Sequence, residues 1–400
     1  MSLQQTPSAD RLHIGIFGKV NSGKSSFINA FTGQNVSIVS EVAGTTTDFV
    51  TKAMEVPSIG PCVFIDTAGF GDATELGWAR TERTRLAAEK TDIAILMFRD
   101  DQGEDISEEM EWVTYFKEKK IPMIILINQT NASTCETLIP EIEKQIKELP
   151  ILVNVKTGQG MEQVKEALIR KIPEDHGVHS ITGNLVSESD VVMLVMPQDK
   201  QAPKGRLILP QVQTIRELLD KKCMTVCVTP DKMTDAIMQL KNSPKLIVTD
   251  SQVFKEVYEK KPKESMLTSF SVLLAAYKGD LKYYIEGAKT MDSLNENSKV
   301  LIAECCTHAP LSEDIGRVKI PNLLRKRFGQ GMQIDMVSGT DFPKDLSSYD
   351  LVIQCGGCMF NRTYIMNRID NAKKQSVPMT NYGVTIAHLT GILDKITIEK

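Results

Sequence analysis

Short apolar runs recur along the chain with one helix-length interval between neighbours. Through residue 170 they are HIGIF, CVFID, IAILMF, MIILIN and ILVNV. Each run is continuous rather than alternating, as in strands buried on both faces of a parallel sheet. SSFINAF and EEMEWVTYFKEKK between them carry helical periodicity. This strand–helix rhythm predicts a doubly wound α/β domain. The segment IPEDHGVHSITGN interrupts it as a linker. A smaller set follows, with strand runs VVMLVMP, MTVCVT and KLIVTD and helical runs LPQVQTIRELLD and MTDAIMQL, and KKPKE closes it near Glu264. The rest opens on helical SFSVLLAAYKGD and returns to alternation with KVLIAE, QIDMV and YDLVIQ. The pattern predicts an α/β protein of three domains, over residues 1–175, 176–262 and 263–400, with no internal repeat in the sequence.

Length agrees with more than one core, because 400 residues exceed what one ordinary domain holds. The hydrophobic fraction of 42% and charged fraction of 24% are those of a globular protein. A net charge of −4 offers no electrostatic footprint for nucleic acid. No apolar run is long enough to span a membrane, and MSLQQTPSADRLH lacks a signal core, so a cytoplasmic protein is expected. In a reducing compartment the eight cysteines read as free thiols or metal ligands rather than a disulfide framework. Cys62, Cys135, Cys223 and Cys227 lie in or near apolar segments and read as small buried hydrophobes.

The first strand run leads into GKVNSGKSS and then a helix. Gly18 to Ser25 fits G-x-x-x-x-G-K-S in its strand–loop–helix setting. Its glycines let backbone N–H groups of Gly18, Ser22 and Gly23 curl around phosphate, and the helix N-terminus at Ser25 and Ser26 adds partial positive charge. Lys24 is expected to balance the β- and γ-phosphates, and Ser25 to bind Mg²⁺. Downstream, AGTTTD offers the Thr45 and Thr46 hydroxyls for Mg²⁺ and the γ-phosphate. CVFIDTAG brings Asp66 to hold Mg²⁺ through water and Gly69 to present an N–H to the γ-phosphate. Lys24, Thr46 and Gly69 are thus the candidate catalytic groups, in two loops that switch with that phosphate.

Over residues 11–171 these motifs resemble the Era/TrmE-like GTPases. The resemblance implies GTP and GDP as ligands and slow hydrolysis used as a timer. It also implies K⁺ activation, with Asn21 as a ligand of the K⁺ ion. The family's Asn-Lys-x-Asp, which reads the base, stands here as Asn128, Gln129, Thr130 and Asn131. An amide in place of the carboxylate loses one of two contacts to guanine, which predicts relaxed base selectivity. ILVNVKTGQG resembles the last family motif, with Asn154, Val155 and Lys156 beside the base and Lys156 in the stacking position.

Two thiol stretches remain, ECCTHAPLSED and VIQCGGC. KVLIAE and YDLVIQ predict strands ending at these cysteines, and ligand sites in open α/β sheets form at strand carboxyl ends. Cys306, His308, Cys355 and Cys358 have the donor set for structural zinc. Cys306, Cys355 and Cys358 with a weaker fourth ligand suit an iron–sulfur cluster. The residues alone leave both open. Cys305 reads as packing, since adjacent side chains on an extended chain point apart.

CTHAPLSEDIGRVKIP, QCGGCMFNR and VPMTNYGVTIAHL closely resemble the carboxyl-terminal domain of the HydF family, and the architecture of that family covers the whole chain. The resemblance implies a GTPase domain, a dimerisation domain that makes a homodimer, and a domain holding a [4Fe–4S] cluster. Cys306, Cys355 and Cys358 would be its thiolate ligands, with His308, Glu313 or an exchangeable water as the fourth. Many members carry histidine before the first cysteine of the later pair, where this chain has Gln354. The implied role is a scaffold that receives a two-iron precursor from radical-SAM maturases and delivers it to apo [FeFe]-hydrogenase. The alternatives are a regulatory GTPase with a redox-sensing or zinc domain and a TrmE-like RNA-modification factor.

Overall fold

The computed structural model describes residues 6–33, 50–70, 75–101, 105–130, 135–173, 179–198, 207–305 and 315–398, with backbone alone at 75–81 and 135–137. The chain divides into two compact units, residues 1–178 and 179–400. The division falls inside the segment expected as a linker.

The first unit is built on β1 (Leu12–Gly18), β2 (Val50–Val56), β3 (Gly60–Asp66), β4 (Ile93–Arg99), β5 (Met123–Asn128) and β6 (Ile151–Val153). Their order is β2-β3-β1-β4-β5-β6, and only the β2–β3 pairing is antiparallel. Every residue of β1 and β5 is buried, which accounts for their unbroken apolar runs. One core layer carries Ile14, Ile16, Phe27 and Phe64, and the other carries Phe17, Phe98, Trp112 and Phe116. The edge strand β2 is largely half-buried and reads VTKAMEV, a sequence without an apolar run.

The second unit holds two four-stranded sheets. One comprises β7 (Val191–Val195), β8 (Met224–Val228), β9 (Leu246–Thr249) and β10 (Met266–Ser269), in the order β10-β9-β7-β8. The other comprises β11 (Lys299–Ala303), β12 (Gln333–Val337), β13 (Leu351–Gln354) and β14 (Met379–Asn381), in the order β12-β11-β13-β14. All pairings are parallel. Read along the chain, both sheets place the second strand beside the first, then the third and fourth on the other side. The same winding occurs twice without a repeat in the residues. β10 follows residue 262, where the boundary between second and third domains is expected, and pairs within the earlier sheet.

Both sheets share a core in which Met193, Val195 and Ile247 join Val300, Ile302 and Ile353. Helix Phe270–Lys278 follows β10 and helix Tyr382–Leu389 follows β14. Ser269 and Asn381 cap them by accepting from Val272 N and Val384 N. The helices cross where Gly383 meets Ser271, so closely that a Cβ at Gly383 would lie 2.5 Å from Ser271 Oγ. Among the described residues no helix is long and apolar enough to cross a membrane.

Cys62 and Cys223 are buried as expected, and the Cys135 side chain lies outside the described residues. Cys227 departs from the expectation and is exposed. It belongs to β8, the edge strand whose first and fourth residues face outward.

Candidate functional site

β1 delivers the phosphate loop to the carboxyl edge of the first sheet, and helix Lys24–Thr32 leaves it. Gly23 has φ +96° and Asn21 has φ +62°, so the loop turns through left-handed conformations that favour Gly and Asn. Lys24 Nζ donates to Gly18 O (3.0 Å) and Lys19 O (2.8 Å), folding the ammonium back over the loop. Burial pushes its pKa down to about 8, with Asp66 opposing the shift. Ser22 is buried, whereas Asn21, Ser25 and Ser26 are exposed.

Asp66, at the end of β3, accepts from Ser25 Oγ at 2.5 Å. Its other oxygen, Oδ1, is buried with no hydrogen-bond partner among the described residues. Burial raises the Asp66 pKa, against the Ser25 hydrogen bond and Lys24. A hydroxyl and a carboxylate with an unsatisfied oxygen are a hard donor set that fits Mg²⁺. Gly69 packs so tightly on the loop that a Cβ there would lie 2.6 Å from the Val20 backbone. The contact is closed by Val20 N donating to Phe70 O and Phe70 N donating to Gly18 O.

Asn128 Nδ2 donates to Ser22 O (3.2 Å), and Asn128 Oδ1 accepts from Val155 N (3.4 Å). One side chain thus ties the phosphate loop to the last motif. Asn154 Oδ1 accepts from Lys156 N and Thr157 N, which shapes that loop while leaving Lys156 exposed. Gln129 is half-buried, and its N–H donates to Val153 O. Thr45, Thr46 and Asn131 lie outside the described residues.

In the second unit, β11 and β13 are neighbours in register Ala303↔Gln354, so the cysteine stretches start from adjacent central strands. The chain leaves β11 toward β12 and leaves β13 toward β14, which makes this edge a topological switch point. Cys355 Sγ accepts from Cys305 N at 3.0 Å. Hydrogen bonds lower the Cys355 pKa, foremost from the Cys305 thiol and then from the Gly357 and Cys305 backbones, against burial and Cys358. Gly357 turns the loop at φ +67°. Cys355 and Cys358 are both half-buried. A sulfur facing several donors, with a second thiol beside it, fits a thiolate-bound metal centre.

Cys306, His308 and Glu313 lie outside the described residues, and among those described no group of three or more His, Cys, Asp or Glu could hold a metal. Glu304, buried at the end of β11, accepts from Arg317 Nε (3.2 Å) and Tyr382 OH (3.3 Å). Sequence reading missed Arg368, whose Nη1 donates to Cys305 Sγ at 3.7 Å. A single arginine on a helix carries no local pattern that announces such a contact.

Comparison with known proteins matches residues 13–129 to the family described as 50S ribosome-binding GTPase. Residues 181–279 match the family described as Hydrogen maturase F dimerization domain, and residues 282–398 match the Hydrogen maturase F tetramerization domain. GTPase Der of Wolinella succinogenes is 31% identical over 42% of this chain and 37% of its own length. GTPase Era of Aquifex aeolicus is 28% identical over 40% of this chain and 57% of its own length. The chain therefore spans between 37% and 57% of these two relatives. A solved structure of Aquifex aeolicus Era bound to GDP.AlF4- aligns with TM-score 0.35 and 19% identity, covering 64% of this chain and 99% of that one.

Proposed function

The chain belongs to the hydrogen maturase F family, whose dimerization and tetramerization domains match residues 181–279 and 282–398, and on that premise we propose that it is a GTP-hydrolysing scaffold for hydrogenase maturation. The first unit binds and slowly hydrolyses GTP. Ser25, Thr46 and Asp66 hold Mg²⁺, which neutralises phosphate charge, and Asn21 holds K⁺. Lys24 and the Gly69 N–H receive the γ-phosphate, so the Gly69 loop reports whether that phosphate is present. Gln129 and Asn131 relax guanine selectivity.

The second unit self-associates and carries a [4Fe–4S] cluster on Cys306, Cys355 and Cys358, with His308, Glu313 or water at the fourth iron. An exchangeable fourth position lets the cluster accept a two-iron unit for transfer to apo [FeFe]-hydrogenase. The observation that supports this most is the thiol edge itself: sulfur donors start from the two central strands at a switch point, inside the matched tetramerization domain.

The test is anaerobic reconstitution of the full chain with iron and sulfide, followed by metal analysis and EPR. About four irons per chain are expected from the cluster stoichiometry. Lys24→Ala should abolish hydrolysis and keep the iron, and Cys355→Ser should lose the iron and keep hydrolysis. Zinc without iron would replace the scaffold by a regulatory GTPase with a structural metal domain.

A further inference from the structure

We propose that Arg368 is a positioning residue of the thiol edge, which acts through Cys305 to raise the reduction potential of the cluster held there; this rests on the cluster reading above. Arg368 stands on helix Arg362–Lys374 and is only 3% exposed. Its guanidinium lies over the rings of Phe342 (4.7 Å), Tyr364 (4.8 Å) and Phe360 (5.5 Å). Nη2 donates to Gly339 O and Tyr364 OH, and Nε is buried without a partner. Among the described residues no carboxylate pairs with it. Its remaining contact is the 3.7 Å bond from Nη1 to Cys305 Sγ.

A buried cation without a counter-charge is costly, and aromatic faces recover only part of that cost. An anion is therefore expected within reach. Cys305 is 4% exposed and links the guanidinium to Cys355, since its backbone N–H and its thiol both serve Cys355 Sγ. Two donors in series, Arg368 to Cys305 and Cys305 to Cys355, lead to a sulfur that would bind iron. Hydrogen bonds to ligand sulfurs and nearby net charge set iron–sulfur potentials. A fixed positive charge favours the reduced cluster, which carries one more negative charge. Cys305 thus has a role that packing alone does not supply.

The experiment is an EPR-monitored redox titration of the reconstituted full chain. Arg368→Gln should retain its iron and become harder to reduce by about tenfold, a midpoint shift of about −59 mV for a one-electron couple. Arg368→Lys should recover most of the shift, because it restores charge without the planar stack. Cys305→Ala should shift the midpoint the same way, and Cys305→Ser should do so less. If Arg368→Gln fails to fold, the two Cys305 variants decide. A midpoint unchanged in iron-replete Arg368→Gln, or in both Cys305 variants, overturns the proposal. An unmodified chain that takes up no iron overturns the cluster reading instead, and this inference with it.

Discussion

At Lys24 two effects act in opposite directions, burial lowering the pKa to about 8 and Asp66 holding it up. Phosphate oxygens arriving beside the ammonium would raise it again. Nucleotide binding then takes up a proton wherever the free protein has lost one. The affinity for GDP should be full below the free-state pKa of about 8. It should fall by about tenfold per pH unit above that, until the bound-state pKa is reached. Calorimetric titration between about pH 7 and pH 9.5 measures this, and a flat profile would remove Lys24 from phosphate contact. Gly69 gives a second expectation at this scale. Gly69→Ala puts a methyl group 2.6 Å from the Val20 backbone, so the two loops must part and GTP hydrolysis should drop well below that of the parent. Unchanged turnover would show that the Gly69 N–H has no part in reading the γ-phosphate.

Among the elements, the crossing of helices Phe270–Lys278 and Tyr382–Leu389 is the most sensitive to volume. Gly383→Val would drive its side chain into Ser271, whose Cβ lies 2.6 Å from the added atom. A loss of about 1–3 kcal/mol is expected, read as a lower denaturant midpoint for the second unit. The elements also divide into those legible in the sequence and those that are not. β1, β4 and β5 announce themselves because burial on both faces demands unbroken apolar runs. β2 does not, because an antiparallel edge strand mixes Lys52 and Glu55 with Val50 and Met54. β10 and β14 span four and three residues and end in polar caps, too little sequence for any period to register. The phosphate loop was readable because its chemistry is local. The Arg368–Cys305 contact joins residues 63 apart in sequence, and folding alone creates it.

For the molecule as a whole, the two sheets of the second unit show why a search for sequence repeats and a comparison of windings give different answers. Side chains of the β7–β10 and β11–β14 sheets have little in common, yet both follow one order of strands. Topology is restricted by the handedness of crossovers and by short connections, and many sequences satisfy it. The shared order places a switch point in each sheet, but only the second carries cysteines there. Fold alone could therefore not have identified the thiol edge, and the residues alone could not have shown that its strands are neighbours.

That adjacency has a consequence for assembly. Cys305 and Cys355 extend strands already locked together by the ladder and by a core of Val300, Ile302 and Ile353. The adjacent strand ends of the thiol edge are thus set by backbone pairing and packing, without need of a metal, unlike a zinc finger that collapses without its ion. Stripping iron with a chelator should leave far-UV circular dichroism and the melting midpoint nearly as they were. Under the scaffold role proposed above, such an edge would let the chain be refilled and sent out again without refolding between rounds.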